Sequence, residues 1–278
     1  MSGTYDPALL QSFYDQFYYD TYAFGQRYEA TNPHWRGHFA RFADAIVNEL
    51  APRTVFDLGC GPGLLVEALR ERGVEAWGLD ISEHAIAHAA AGAREFCRVG
   101  SITDELASAY DLIVCIEVIE HVPAPYANDA VANMAEHGKR VLFSSAPDDF
   151  KDPSHTNVRP VEHWVGLFAR YGMYRDLEFD ATFVTPHAIC FHRPESPLQA
   201  IKAYERHWFR ATRELREVRE ANVAIVADRA HLTRELARLT GMPSASLAEP
   251  RLKRVMRPVW RRLPERLRVA IRRLVRPA

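Results

Sequence analysis

Two groups of side chains in this 278-residue chain have the types and spacing to do chemistry. The first is Asp57-Leu58-Gly59-Cys60-Gly61-Pro62-Gly63, where an apolar strand-like run from Val55 meets a carboxylate and then three closely spaced glycines. Glycine has no Cβ, so such a loop takes left-handed backbone cheaply and lets main-chain N–H groups come close to a ligand. A second apolar run, from Val74, ends at Asp80, roughly twenty residues past the loop, where an acid accepts the hydroxyls of a ribose. Loop and acid together call for a ligand containing a nucleoside. The second group is Glu117-Val118-Ile119-Glu120-His121, followed after a polar stretch by Asp148 to Arg159 with His155 near its middle. Two carboxylates and two imidazoles at one end of a sheet would hold a divalent cation that lowers a hydroxyl's pKa. Alternatively, His121 or His155 removes the proton itself as a general base.

The order of residues in the loop narrows the ligand. A dinucleotide loop reads G-x-G-x-x-G and sets a helix N-terminus against a pyrophosphate. Here an acid precedes the glycines, and a carboxylate repels a pyrophosphate but suits a ligand carrying an ammonium and a sulfonium. The run Asp57-x-Gly59-x-Gly61-x-Gly63, with Asp80, resembles the first motif of the class I S-adenosylmethionine-dependent methyltransferases. The resemblance implies a cofactor site of Asp57, Gly59, Cys60, Gly61, Gly63, Asp80, Ile81, Ser101, Ile102 and Glu117. Asp57 and the glycines would take the methionine part and Asp80 the ribose. The acid that many relatives place after the third strand to hold the adenine amino group is replaced near Gly100-Ser101-Ile102, leaving that contact to Ser101 or backbone.

The run E-V-I-E-H resembles the metal site of the small-RNA 3'-terminal 2'-O-methyltransferases, and similar runs occur in the O-methyltransferases of ubiquinone synthesis. Carried over, it implies Glu117, Glu120, His121 and His155 as ligands of magnesium or manganese. The same run occurs in class I enzymes without a metal, where the first Glu meets cofactor or substrate and the His lines the pocket. His155 to Trp164, H-T-N-V-R-P-x-E-x-W, resembles a segment of bacterial methyltransferases from polysaccharide and glycolipid gene clusters, and departs from the RNA enzymes' pattern. Asn157 and Arg159 would then grip sugar hydroxyls or a phosphate. The expected activity is methyl transfer to a hydroxyl of a sugar, glycan or glycolipid. An RNA 2'-hydroxyl and a non-catalytic adaptor that keeps the cofactor fold are the alternatives.

Both groups need strands to hold them. Apolar runs and amphipathic segments alternate: helix 38–50, strand 54–58, helix 64–72, strand 75–79, helix 82–91 and a short strand near 95–99. Asp111 to Ile116 is continuously apolar after its first residue, as in a strand buried on both faces of a parallel sheet. Helix 127–137, strand 139–144, helix 160–171 and strands 174–179 and 185–191 follow. This predicts an α/β fold with a doubly wound, seven-stranded Rossmann-like sheet, ligands sitting at the carboxyl ends of its strands. Residues 1–37, ahead of a catalytic domain at 38–194, are crowded with Tyr and Phe, which either pack simply against the core or, as the resemblance implies, form a helical lid over cofactor and acceptor.

Past Pro197 the composition changes. Trp208, Ala211, Leu215, Val218, Asn222, Ile225, Leu232, Leu236 and Leu239 fall on spacings of three and four within a long helix spanning 195–241, either a coiled coil joining a homodimer through 204–239 or a helix packed on its own domain. The tail, 242–278, is basic: from Arg251 onward it holds eleven Lys or Arg and one Glu, net +10, leaving −11 on the rest of a chain whose total is −1. Leu263, Leu267, Ile271 and Leu274 stripe one face, which suits an anionic membrane surface ahead of nucleic acid. Four scattered cysteines, no spanning helix and no secretory segment predict a cytoplasmic protein, peripheral at the inner membrane face if the tail binds there.

Overall fold

The computed structural model describes residues 11, 13–21 and 27–241, so the tail expected to meet a membrane lies outside the described residues. The chain divides into two compact units, 1–204 and 205–278.

The first unit is built on one sheet. Strands β1 (Thr54–Leu58), β2 (Glu75–Asp80), β3 (Cys97–Val99), β4 (Tyr110–Ile116), β5 (Gly138–Ser144), β6 (Tyr174–Arg175) and β7 (Ile189–His192) lie in the order β3-β2-β1-β4-β5-β7-β6. The five strands from β3 to β5 pair parallel, and β7 is antiparallel to both β5 and β6. Helices α1 (Gln16–Thr21), α2 (Pro33–Leu50), α3 (Leu64–Arg70), α4 (Glu83–Ala87), α5 (Ala127–His137) and α6 (Val161–Arg170) accompany it. Two apolar clusters fill the space beside the strands, one holding Ile46, Leu69 and Val114, the other Ile113, Phe143 and Trp164. Central strands buried on both sides explain why β4 reads as an unbroken apolar run.

Several ends differ from the sequence expectation for local reasons. Helix α2 starts at Pro33 rather than His38, because Asn32 accepts the His34 N–H and Pro33 is preset for a first turn. Helix α4 stops at Ala87, well short of residue 91. Strands β6 and β7 are shorter than expected: the chain from Asp176 to Ala188 is irregular, as its Asp176 and Asp180 side chains bond backbone N–H groups two residues on.

Helix α7 runs Pro197–Thr240, compared with the long helix expected over 195–241. No described helix is long and apolar enough to cross a membrane. All four cysteines are buried and free.

Candidate functional site

The crevice lies at the carboxyl ends of β1, β2 and β4, where the strand order turns back on itself. Gly59, Gly61 and Gly63 carry φ of +79°, +53° and +71°, and each is a position a side chain would strain. A Cβ on Gly59 would fall 2.3 Å from Val118 Cγ2, and one on Gly61 would fall 3.0 Å from the Tyr28 ring. The loop is pinned to β2: Gly59 and Cys60 N–H both donate to the Leu79 carbonyl, at 2.8 and 3.0 Å. Gly61 N–H donates to Asp80 Oδ2 and Ser82 N–H to Asp80 Oδ1, each at 2.8 Å. These two bonds aim the Asp80 carboxylate while leaving each oxygen a further lone pair.

Asp57 stands beside it on β1. Burial pushes its carboxyl up to about 7, and the Asp80 charge pushes the same way. Burial also raises Asp80, against the two backbone N–H groups that favour its charged form. Two buried acids at one loop make a negative crevice, which a cationic ligand relieves and an anionic one aggravates. The glycine cradle and this charge fit a nucleoside sulfonium.

A second set stands at the end of β4. Glu120 is fully buried: Oε1 accepts the Ala146 N–H at 3.0 Å, and Oε2 has no hydrogen-bond partner. Burial, then the nearby Glu117, raises its carboxyl to about 8. Burial, then His155, lowers His121 to about 4, so its ring is neutral. The hydrogen bonds fix which nitrogen carries the proton. Ser154 Oγ donates to Asp152 Oδ1, so the 3.0 Å contact between Ser154 Oγ and His121 Nδ1 has the imidazole as donor. His155 Nδ1 lies 2.9 Å from the Asp149 carbonyl, which can only accept. The neutral His121 ring therefore presents Nε2 as an acceptor, and His155 Nε2 lies 3.9 Å from Asp152 Oδ2. Glu120, His121 and His155 each offer a ligand atom within 4.8 Å of the others, a mixed N,O set able to hold a divalent cation.

Glu117, expected to be the fourth ligand, lies near Glu120 and pairs with a further histidine. Its Oε1 lies 3.0 Å from His187 Nε2, and its backbone has φ +52°, uncommon for a residue with a side chain. His187 was missed by sequence reasoning: it stands alone between Pro186 and Ala188, and only β7 returning beside β5 brings it near β4.

Together these residues border a partly open cavity of about 350 Å³. At one end are Asp57, Gly59, Gly61, Asp80, Ile81, Ser101 and Ile102, with Glu117 in the floor. At the other are His121, Asp149, Asp152 and His155, under the rings of Tyr14 and Tyr18. The Tyr14 and Tyr18 rings meet edge to face at 4.8 Å, and His121 packs edge-on against both. Tyr19 and Tyr28 stack 6.1 Å apart beside the glycine loop. The aromatic N-terminal segment thus walls the cavity along its length.

Other expected residues sit outside the lining. Cys60 Sγ lies against Gly78, so Cys60 can serve the site through its backbone alone, and Gly63 caps α3. Glu120 lies behind the His121 wall. Asn157 and Arg159 do not line the cavity either: Asn157 is buried, its N–H donates to the Glu120 carbonyl, and its Oδ1 accepts from Arg159 Nε. Arg159 itself is exposed. Where an adenine-binding acid was thought absent, Asp104 Oδ2 accepts the Ser101 N–H.

A family profile described as "Methyltransferase domain" matches residues 34–187. Curated relatives named "Ubiquinone biosynthesis O-methyltransferase" include that of Idiomarina loihiensis, 33% identical over 113 residues, 37% of this chain and 46% of the relative. That of Aromatoleum aromaticum is 30% identical over 168 residues, 54% of this chain and 67% of the relative. The chain spans about half the length of the first of these relatives (46%) and 48% of the same-named protein of Azoarcus sp.. Among solved structures, magnesium protoporphyrin IX methyltransferase from Synechocystis with bound SAH superposes with a TM-score of 0.49 at 19% identity, covering 68% of this chain and 100% of that one.

Proposed function

Because the chain belongs to the Methyltransferase domain family, we propose that it transfers a methyl group from S-adenosylmethionine to a hydroxyl of an acceptor entering beneath Tyr14 and Tyr18. The observation that carries this reading is the crevice in which Asp57 and Asp80 flank a glycine loop with no room for side chains. Asp80 accepts the ribose hydroxyls, Asp57 meets the methionine ammonium, and Ser101 and Ile102 border the adenine. When bound, the cofactor supplies an electrophilic methyl group, and the reaction is an in-line displacement that depends chiefly on alignment.

Aligning the acceptor falls to the opposite end of the cavity. Either His121 or His155 receives the hydroxyl as a hydrogen-bond donor and takes its one proton as the oxygen attacks. Asp152, through Ser154, steadies the charge His121 then gains. Alternatively, Glu120, His121 and His155 would hold magnesium or manganese, which would lower the hydroxyl's pKa in place of a histidine base. The buried, unpartnered Glu120 Oε2 supports that site.

For the acceptor itself, tyrosine rings on its side of the cavity and relatives named for ubiquinone biosynthesis favour a flat ring bearing the hydroxyl. The sugar or glycolipid suggested by His155 to Trp164 is the second reading, less favoured because Asn157 and Arg159 are not among the residues lining the cavity. RNA rests on the E-V-I-E-H resemblance and the basic tail, and a peripheral membrane location on the tail. Binding to anionic vesicles and to RNA at two salt concentrations separates those two.

The test is a labelled methyl-transfer screen with a catechol, sugar nucleotides, a glycolipid and a short RNA, with and without exhaustive chelation. Label on the catechol is the expected outcome. Label on no hydroxyl compound, with S-adenosylhomocysteine giving neither heat nor protection from melting, would overturn the reading in favour of a non-catalytic adaptor.

A further inference from the structure

The second unit carries a surface that the catalytic reading does not use. From Glu205 to His231 helix α7 is exposed on nearly every side, yet it is far from uniformly polar. Trp208 is 69% exposed, Leu215 50%, Val218 56% and Ile225 50%, and with Ala211 and Asn222 they repeat every seven residues in alternating steps of three and four. Arg229, Leu232, Leu236 and Leu239 continue the series, with Leu232 and Leu236 already partly or fully covered. A stripe at this period follows a 3.5-residue repeat, so it remains aligned with a second helix only if the two wind around each other.

We propose that this stripe is the seam of a parallel, in-register two-stranded coiled coil formed with a second copy of the chain. Three features select that partner and direction. Asn222 occupies the same seam position as Trp208, Leu215, Arg229 and Leu236, whereas Ala211, Val218, Ile225, Leu232 and Leu239 occupy the other. In an antiparallel pair these two positions face each other, so each Asn222 amide would be set against an apolar side chain and lose its hydrogen bonds. In a parallel pair in register, Asn222 meets Asn222 and the two amides satisfy each other.

The flanking charges agree. The charged residues just before the first seam position are all acidic, Glu214, Asp228 and Glu235, and an antiparallel pair would bring this edge against its own copy. A parallel pair instead sets Glu214 against Arg219 of the second copy, twice by symmetry, and places Asp228 of one helix next to the seam Arg229 of the other. Within one helix, Arg213 and Glu217 already form an (i, i+4) pair at 3.5 Å, which supports the isolated helix only slightly.

The experiment uses the full chain. Sedimentation or light scattering should give twice the 31.7 kDa of one chain at micromolar concentration. The double variant Leu215→Glu/Ile225→Glu should halve that mass while leaving S-adenosylhomocysteine affinity unchanged, since neither residue borders the cavity. For direction, Leu215→Cys adds one exposed thiol to a chain whose own four are buried. A short bis-maleimide should join two such chains in most of the sample, because position 215 meets itself only in the parallel register. A monomer at 100 µM (about a hundredfold above a micromolar dissociation constant), a dimer that survives the double variant, or a dimer that does not cross-link at 215 would each overturn the proposal.

Discussion

At the scale of single residues, the site is governed by carboxyl groups held away from water. Asp57 is held near 7 rather than at the usual carboxylate value, so the ligand-free protein favours its protonated form. The sign for stability follows: the folded state binds this proton more tightly than the unfolded chain. Its contribution is therefore present at low pH and is lost as pH rises from about 4 through 7. Ligand binding has the opposite slope, because the ionised form attracts the ammonium. Calorimetric titration of S-adenosylhomocysteine should show affinity rising between pH 6 and 8, and Asp57→Asn should flatten the slope while weakening binding. Ser154 is the second residue-scale test. Ser154→Ala disconnects Asp152 from His121 and frees the ring to rotate, so methyl transfer should fall about 10- to 100-fold while cofactor affinity holds. The sequence pointed to both His121 and His155, but not to the orientation of either ring, which depends on a serine and a carbonyl from another loop.

At the scale of elements, the glycine loop and the turn after β4 interlock. The place for Gly59's missing side chain is taken by Val118, and the two lie on adjacent parallel strand ends. Gly59→Ala should destabilise the protein by about 1–3 kcal/mol in denaturant titration and abolish cofactor binding. Adding Val118→Ala makes room for the methyl but leaves φ at +79°, so recovery should be partial. This coupling explains which parts of the fold were legible. Strands β1, β2, β4 and β5 are buried on both faces and announce themselves as apolar runs, and α5 was placed correctly at 127–137 because its ends are set by local sequence. The two strands after α6 were expected in the right place but too long, because apolar residues between them, such as Phe179 and Phe183, pack against the core from irregular chain.

At the scale of the whole molecule, the catalytic unit closes on itself: its sheet, both apolar clusters and the cavity all fall within residues 1–204. A chain ended after Tyr204 should keep its affinity for S-adenosylhomocysteine within about threefold, measured by calorimetry, and should sediment as a monomer. Retained affinity with lost association would assign cofactor binding to the first unit and self-association to the second. The opposed charges of body and tail, −11 and +10, belong to this scale as well, and they make any binding through the tail sensitive to salt.

By itself the sequence determined the alternation of strands and helices, the glycine loop with its acid, and the seven-residue stripe, because each is a local pattern read along one stretch of chain. Tertiary structure alone decided that Glu117, while lying near Glu120, pairs with His187, and that Asn157 is buried with its N–H on the Glu120 carbonyl. Those outcomes depend on side chains brought together from distant strands and loops, where the geometry of the sheet, not spacing along the chain, sets which polar groups can satisfy one another.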